Sequence, residues 1–335
     1  MTPVEAMERA VHYLDRAHDT GFKAKAFVRA LDVVRTTPAD ELEARAEAGT
    51  LTDLEGIGDS TATVIRQALA GGEVEYLVEL ETRTRVALTD DGAVYRQALK
   101  GDLHLHSRWS DGSATIEAMA RNAQALGHDY MVLTDHSPRL TIAHGLSAER
   151  LEQQLADIAV LNEVLAPFRI LTGIEVDINE DGTLDHSDDV LGGLDVVVAS
   201  VHSKLRMAKQ EMTERMIRAI ASPHVDVLGH CTGRLIGKRD ASTFDPDYVF
   251  AACAAFHTAV EINSRPERLD PPRPLLELAV QHACYFSIDS DAHSTGQLEW
   301  QPHGCNRAAE VGVPLDRVIN TWTADELLAW TREQE

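Results

Sequence analysis

Apolar residues recur at helical spacing over 4–17 and 24–36, and no strand-like alternation occurs before residue 82. Thr37-Pro38-Ala39-Asp40-Glu41 marks one helix ending and another starting. The pattern predicts an all-helical region over 1–82. Residues 83–100 are mixed, with a turn signal at Asp90-Asp91-Gly92, and read as a linker. From Gly101 the pattern changes. Short apolar runs at 102–106, 130–134, 170–176, 196–201, 225–228, 259–262 and 285–288 alternate with helical stretches at 115–126, 148–165, 211–221, 246–256 and 274–282. Seven βα alternations predict an α/β unit of parallel strands under outer helices. A (β/α) barrel is the natural closure for residues 101–335.

The ends of these runs carry the chemistry. The first ends in Leu103-His104-Leu105-His106, with Ser110-Asp111-Gly112 just after, and the second in Thr134-Asp135-His136. The third ends in Gly173-Ile174-Glu175, the fourth in Ser200-Val201-His202, the fifth in Leu228-Gly229-His230, and the seventh in Asp289-Ser290-Asp291-Ala292-His293. Barrel active sites are built at the C-terminal ends of strands. His104 and His106, two apart on a strand, share one face, as do Asp291 and His293. Imidazole with carboxylate suits Zn, Mn or Fe. Nine candidate ligands result: His104, His106, Asp111, His136, Glu175, His202, His230, Asp291 and His293. One centre uses about three or four protein ligands, so nine imply two or three divalent metal ions, with Glu175 the best bridge. The other nine of the 15 histidines read as structural or surface residues.

Composition narrows the function. Lys+Arg 31 against Asp+Glu 54 gives a net charge of −23, which argues against a broad sequence-independent grip on nucleic acid but leaves a local site open. No apolar run reaches membrane-spanning length and the N-terminus has no signal-peptide pattern, so a cytoplasmic location with no membrane partner is expected. Four cysteines, at 231, 253, 284 and 305, form no CxxC pair, which fits a reduced compartment. Three divalent cations with three carboxylate ligands would leave about +3 in the pocket, enough to draw in a phosphate. A metal-bridged hydroxide could then attack phosphorus in line. There is no G-x-S-x-G elbow to favour acyl transfer. Glu175, His202 and Asp291 are the expected catalytic members of the set. Arg234 and Arg268 are candidates for gripping substrate phosphate, with Lys204 and Arg206 behind them, and Asp135 and Asp289 could orient imidazoles.

His104-x-His106, Asp111, His136, Glu175, His202, His230 and Asp291-x-His293 resemble the PHP (polymerase and histidinol phosphatase) phosphoesterases over about 101–335. The likeness is strongest to the PHP domain attached to bacterial family X DNA polymerases. Gly145-Leu146-Ser147, His230-Cys231-Thr232-Gly233-Arg234-Leu235, Glu261-Ile262-Asn263 and Arg268-Leu269-Asp270 carry it. The resemblance implies a distorted seven-stranded (β/α) barrel with a trinuclear centre. Cys231 and His144 depart from that group, which usually has proline and asparagine there.

Leu54-Glu55-Gly56-Ile57-Gly58-Asp59 followed by a helical stretch resembles a helix-hairpin-helix element, and residues 1–82 resemble the small N-terminal domain of family X polymerases. Gly56 and Gly58 would then leave bare N–H groups for a DNA phosphate. Asp59 and the balance of 8 Lys+Arg against 16 Asp+Glu over 1–82 oppose that grip. The 83–100 stretch is too short to hold a polymerase core. The expected function is a metal-dependent phosphoesterase on DNA 3′ ends, a 3′-5′ exonuclease or 3′-phosphodiesterase/phosphatase of DNA repair. The alternatives are a small-molecule phosphatase of the histidinol-phosphate or nucleotide type, and a DNA-binding adaptor whose metal is structural. A monomer is favoured.

Overall fold

The computed structural model describes residues 1–332, and the chain divides into two compact units, Met1–Val86 and the remainder from Ala87. The first unit holds five α-helices: Pro3–Arg16, Phe22–Thr36, Ala39–Ala48, Asp59–Leu69 and Glu75–Thr84. The first starts where a capping residue and proline coincide. The Thr2 hydroxyl accepts from the Glu5 N–H at 3.2 Å and the Glu5 carboxylate accepts from the Thr2 N–H at 2.7 Å. Met7, Leu14, Phe27, Val34, Ile65 and Leu80 form the core of this unit. Gly56 takes a left-handed backbone, φ +96°, and a Cβ there would lie 3.1 Å from Val33. Gly58 is not bare, as the sequence reading had it: its N–H donates to the Thr61 hydroxyl at 2.9 Å.

In the second unit, β1 (Gly101–Asp102), β2 (Tyr130–Leu133), β3 (Arg169–Asp177), β4 (Val196–Ser200), β5 (Val227–Leu228), β6 (Ala259–Asn263) and β7 (Phe286–Asp289) form one sheet in sequential order. Every pairing is parallel. A parallel bridge between Leu105 and Ala292 joins the first and last strands, so the sheet curls into a nearly closed barrel. Alternate residues serve different cores, as a period of two requires. Along β4, Val196 and Val198 join a cluster with Leu103, Val132 and Leu171 that Leu327 and Leu328 close off. Val197 and Ala199 pack instead against the helical layer.

The stretch read as a linker with a turn holds a helix, Asp90–Ala98. Thr89 caps it by accepting from the Gly92 N–H at 2.9 Å, and Asp90 and Asp91 in its first turn favour the positive end of the helix dipole. Gly92 is required by a close approach, since a Cβ would meet Asn306 of the helix Gln301–Val311 at 2.2 Å. The four cysteines are buried and unbonded. No helix among the described residues is long and apolar enough to cross a membrane.

Candidate metal centre

β1 pairs for only two residues because the chain then bends into the barrel mouth. The Leu105 N–H donates to the Thr134 hydroxyl at 3.0 Å, and the His106 N–H to the Ala292 carbonyl at 2.8 Å. Leu105 is buried against outer-layer residues while its two histidine neighbours turn the other way, into the barrel mouth. After β7, Asp291 takes a left-handed backbone, φ +52°, which few residues other than Asn, Asp and Gly adopt readily.

All nine predicted ligands come together. They fall into four overlapping groups whose ligand atoms lie within 4.8 Å of one another: His106, Asp111, His136 and His293; His104, His106 and Asp291; His104, Glu175 and His230; and His136, Glu175 and His202. Glu175 lies at the centre. Its Oε1 is 2.8 Å from His230 Nε2 and 3.2 Å from His202 Nε2. Its Oε2 is 2.8 Å from His136 Nδ1, 3.4 Å from His104 Nε2 and 3.6 Å from His106 Nε2. Asp111 Oδ1 lies 3.4 Å from His293 Nε2 and 3.6 Å from His136 Nε2, and Asp291 Oδ1 lies 3.6 Å from His106 Nε2. The Nε2 atoms of His104, His106 and His202 are buried without a hydrogen-bond partner. Buried nitrogen lone pairs left unpaired are costly, and a cation between them relieves that cost. The donor set therefore fits divalent metal ions.

The charge distribution is uneven. Burial raises carboxylate pKa values, but the surrounding imidazoles of His202, His104 and His136 hold Glu175 well below the carboxylate range. Arg265, His106 and Arg268 do the same for Asp291. Burial opposes protonation of His104, but Glu261 and Glu175 outweigh it and hold the imidazole well above its usual value. Burial and the neighbouring His293 and His136 push His106 the other way. His202, against the same opposition from burial, is raised to about 9 by Glu175 and Asp177. The cluster is sealed at one end and open at the other: the His104 side chain is 0% exposed, while His202, His293 and Asp111 are 11%, 17% and 33% exposed.

The outer partners differ from expectation. Asp135 accepts from the N–H and hydroxyl of Ser107 at 2.8 and 2.7 Å and from Gln154 at 2.7 Å, so it ties down the loop after β1 and holds no imidazole. Asp289 accepts from the Leu103 N–H at 2.8 Å. The imidazoles are held by two carboxylates the sequence reading left without a role. Asp177 meets His202 Nδ1 at 2.9 Å, and Glu261 meets His104 Nδ1 at 2.7 Å. The spacing Glu175-x-Asp177 on one strand, and an acid at 261 on the strand that delivers no ligand, were the available signals.

Arg268 Nε donates to Asp291 Oδ2 at 3.0 Å, and its buried Nη1 has no partner. Arg234 is committed elsewhere: Nε donates to the Arg268 carbonyl at 2.7 Å and Nη2 to the Leu269 carbonyl. With these two nitrogens it braces the loop that carries Arg268. Arg265, which the sequence reading passed over, has Nη1 3.5 Å from Asp291 Oδ1 and 3.2 Å from His293 Nδ1. Lys204 and Arg206 are exposed.

Residues 102–259 match the family model described as PHP domain. A Bacillus subtilis protein, "DNA polymerase/3′-5′ exonuclease PolX", is 39% identical over 237 residues, covering 71% of this chain and 42% of that one. The chain thus spans less than half of that relative. A Thermoanaerobacter "probable phosphatase" is 28% identical over 232 residues, covering 66% of this chain and 89% of that one. A solved Lactococcus lactis histidinol phosphate phosphatase has a TM-score of 0.44 and 16% identity over 63% of this chain and 93% of that one, a likeness too distant to argue from. With the match placed over the strands that carry most of the cluster, residues 102–259 form a PHP domain, and the chain is a metal-dependent phosphoester hydrolase.

Proposed function

We propose that this chain hydrolyses phosphate esters at DNA 3′ ends, with His104, His106, Asp111, His136, Glu175, His202, His230, Asp291 and His293 as metal ligands. The convergence of these nine side chains into one cluster carries the hydrolytic reading. Identity of 39% to a protein whose name includes a 3′-5′ exonuclease supports the substrate class. Two or three divalent ions, Zn, Mn or Fe, would supply Lewis acidity, make water nucleophilic at neutral pH and offset charge at phosphorus.

The chain's own groups do the rest. Substrate enters at the exposed edge, past Asp111, His293 and His202. The 12%-exposed guanidinium of Arg268 would take a phosphoryl oxygen while its Nε stays on Asp291, so that one side chain binds substrate and fixes a candidate ligand. Glu175, shared by the groups that contain His104 and His202, and Asp291 would help hold the ions, and His202, steadied by Asp177 through Nδ1, turns its Nε2 to the rim of the cluster. Gly56 sits in the hairpin that would meet a backbone phosphate, while the Gly58 N–H is already taken by Thr61.

The test is turnover by the full chain, with Mn²⁺ or Zn²⁺, of 3′-recessed and 3′-phosphorylated oligonucleotides beside histidinol phosphate, nucleotides and p-nitrophenyl phosphate. Release of mononucleotide or phosphate from the oligonucleotide 3′ end is expected. Turnover of metabolites alone would remove the DNA reading and leave the small-molecule phosphatase, which the 89% coverage of a probable phosphatase favours. Asp59→Lys probes the hairpin: it should tighten oligonucleotide binding and leave p-nitrophenyl phosphate turnover unchanged.

A further inference from the structure

β6 delivers no side chain to the cluster, but at its middle stands Glu261, fully buried. Its Oε1 is 2.7 Å from His104 Nδ1 and accepts from the Asn263 carboxamide N–H at 3.2 Å. Its Oε2 accepts from the backbone N–H of His230. The same Asn263 nitrogen donates to Asp291 Oδ2 at 3.1 Å. One carboxylate thus reaches candidate ligands following β1, β5 and β7.

An ionised carboxylate only accepts. Two of the three partners are N–H donors by constitution, so a proton shared with His104 must stand on Nδ1. His104 Nε2 then carries the lone pair, and that atom is the one buried without a hydrogen-bond partner, 3.4 Å from Glu175 Oε2. We propose that Glu261 is a positioning residue that fixes His104 as the Nδ1–H tautomer, presents Nε2 to a divalent cation, and sets the ligands of three strands from one point.

This inference rests on the reading of the nine side chains as metal ligands. It makes a specific demand on position 261. A glutamine of the same shape has one accepting oxygen and one donating nitrogen. Whichever way its amide turns, it sets N–H against N–H, either at His230 or at His104 and Asn263 together. Outer partners of this kind are worth about 10–100-fold in metal affinity.

The experiment titrates zinc alone into the full chain and into Glu261→Gln against a chromophoric chelator. A loss of about 10–100-fold in affinity for at least one ion is expected in the variant. In parallel, ¹⁵N-histidine NMR of the zinc-loaded wild type should show His104 with a proton on Nδ1 and none on Nε2. Equal zinc affinity in the two proteins, or His104 protonated on Nε2, overturns the inference alone. A wild type that takes up no divalent ion overturns the metal reading and this inference with it. Should Glu261→Gln fail to fold, the wild-type spectrum decides.

Discussion

His128 sits between the helix Ile116–Ala125 and the start of β2, at the end of the barrel away from the metal cluster, and is 5% exposed. Neither ring nitrogen has a hydrogen-bond partner. Burial, reinforced by the Arg96 charge, lowers its pKa from 6.5 to about 3. As pH falls, the unfolded chain takes up the proton first, so stability holds above about 6.5 and declines until about pH 3. At about 1.36 kcal/mol per unit, the loss is about 2 kcal/mol at pH 5 and about 4 kcal/mol at pH 3. His128→Leu removes a group that makes no hydrogen bond, so it should cost little at pH 7 and abolish that share of the acid sensitivity. All four tryptophans, Trp109, Trp300, Trp322 and Trp330, lie in the barrel unit, so their fluorescence during urea unfolding reports on that unit alone. With chelator present, the drop in stability from pH 7 to pH 5 should be about 2 kcal/mol smaller in the variant. Identical pH dependence in the two proteins would refute the argument.

Three further outcomes are expected. Outer partners of metal ligands are worth about 10–100-fold, so His106→Ala should cut phosphoesterase turnover by more than about 100-fold, as chelation should, with added Mn²⁺ or Zn²⁺ rescuing only the chelated wild type. Arg268→Ala should lower kcat/KM by about 10–150-fold, the equivalent of one charged hydrogen bond of about 1.5–3 kcal/mol. Arg234→Ala, which only loosens the loop carbonyls, should act in the same direction but less; the reverse order would mean that Arg234 is the group on the phosphate. Without metal, Glu175 and Asp177 raise the His202 pKa to about 9, so that imidazole is charged at pH 7.5. Zinc uptake at that pH should therefore release protons, seen as a buffer-dependent heat in calorimetry; a heat independent of the buffer would contradict it.

The barrel was legible because seven apolar runs, each buried on both faces, alternate with amphipathic helices, and parallel strands leave few other ways to close. The convergence of the nine side chains was legible because a strand-end histidine has a fixed place in such a barrel. What the sequence concealed is which polar residue answers which. Asp135 and Asp177 both stand in or beside strand ends, but only Asp177 reaches an imidazole. Arg234 turns to loop carbonyls while Arg265 reaches Asp291, a difference sequence position does not show because a guanidinium spans several ångströms. The helix Asp90–Ala98 was hidden by Asp-Asp-Gly, which reads as a turn until the Thr89 cap and the tight crossing at Asn306 are seen.

The bridge from Leu105 to Ala292 lies in the middle of two ligand pairs, His104 with His106 and Asp291 with His293. The join between the first and last strands is therefore made of the same few residues that would grip the cations. An ion held across it would act as a rivet, and losing the ion would free both margins at once. Amide exchange at Leu105, His106 and Asp291 should respond first when metal is withdrawn, well before the strands on the far side of the ring. Loading and integrity would then be one equilibrium viewed from two directions.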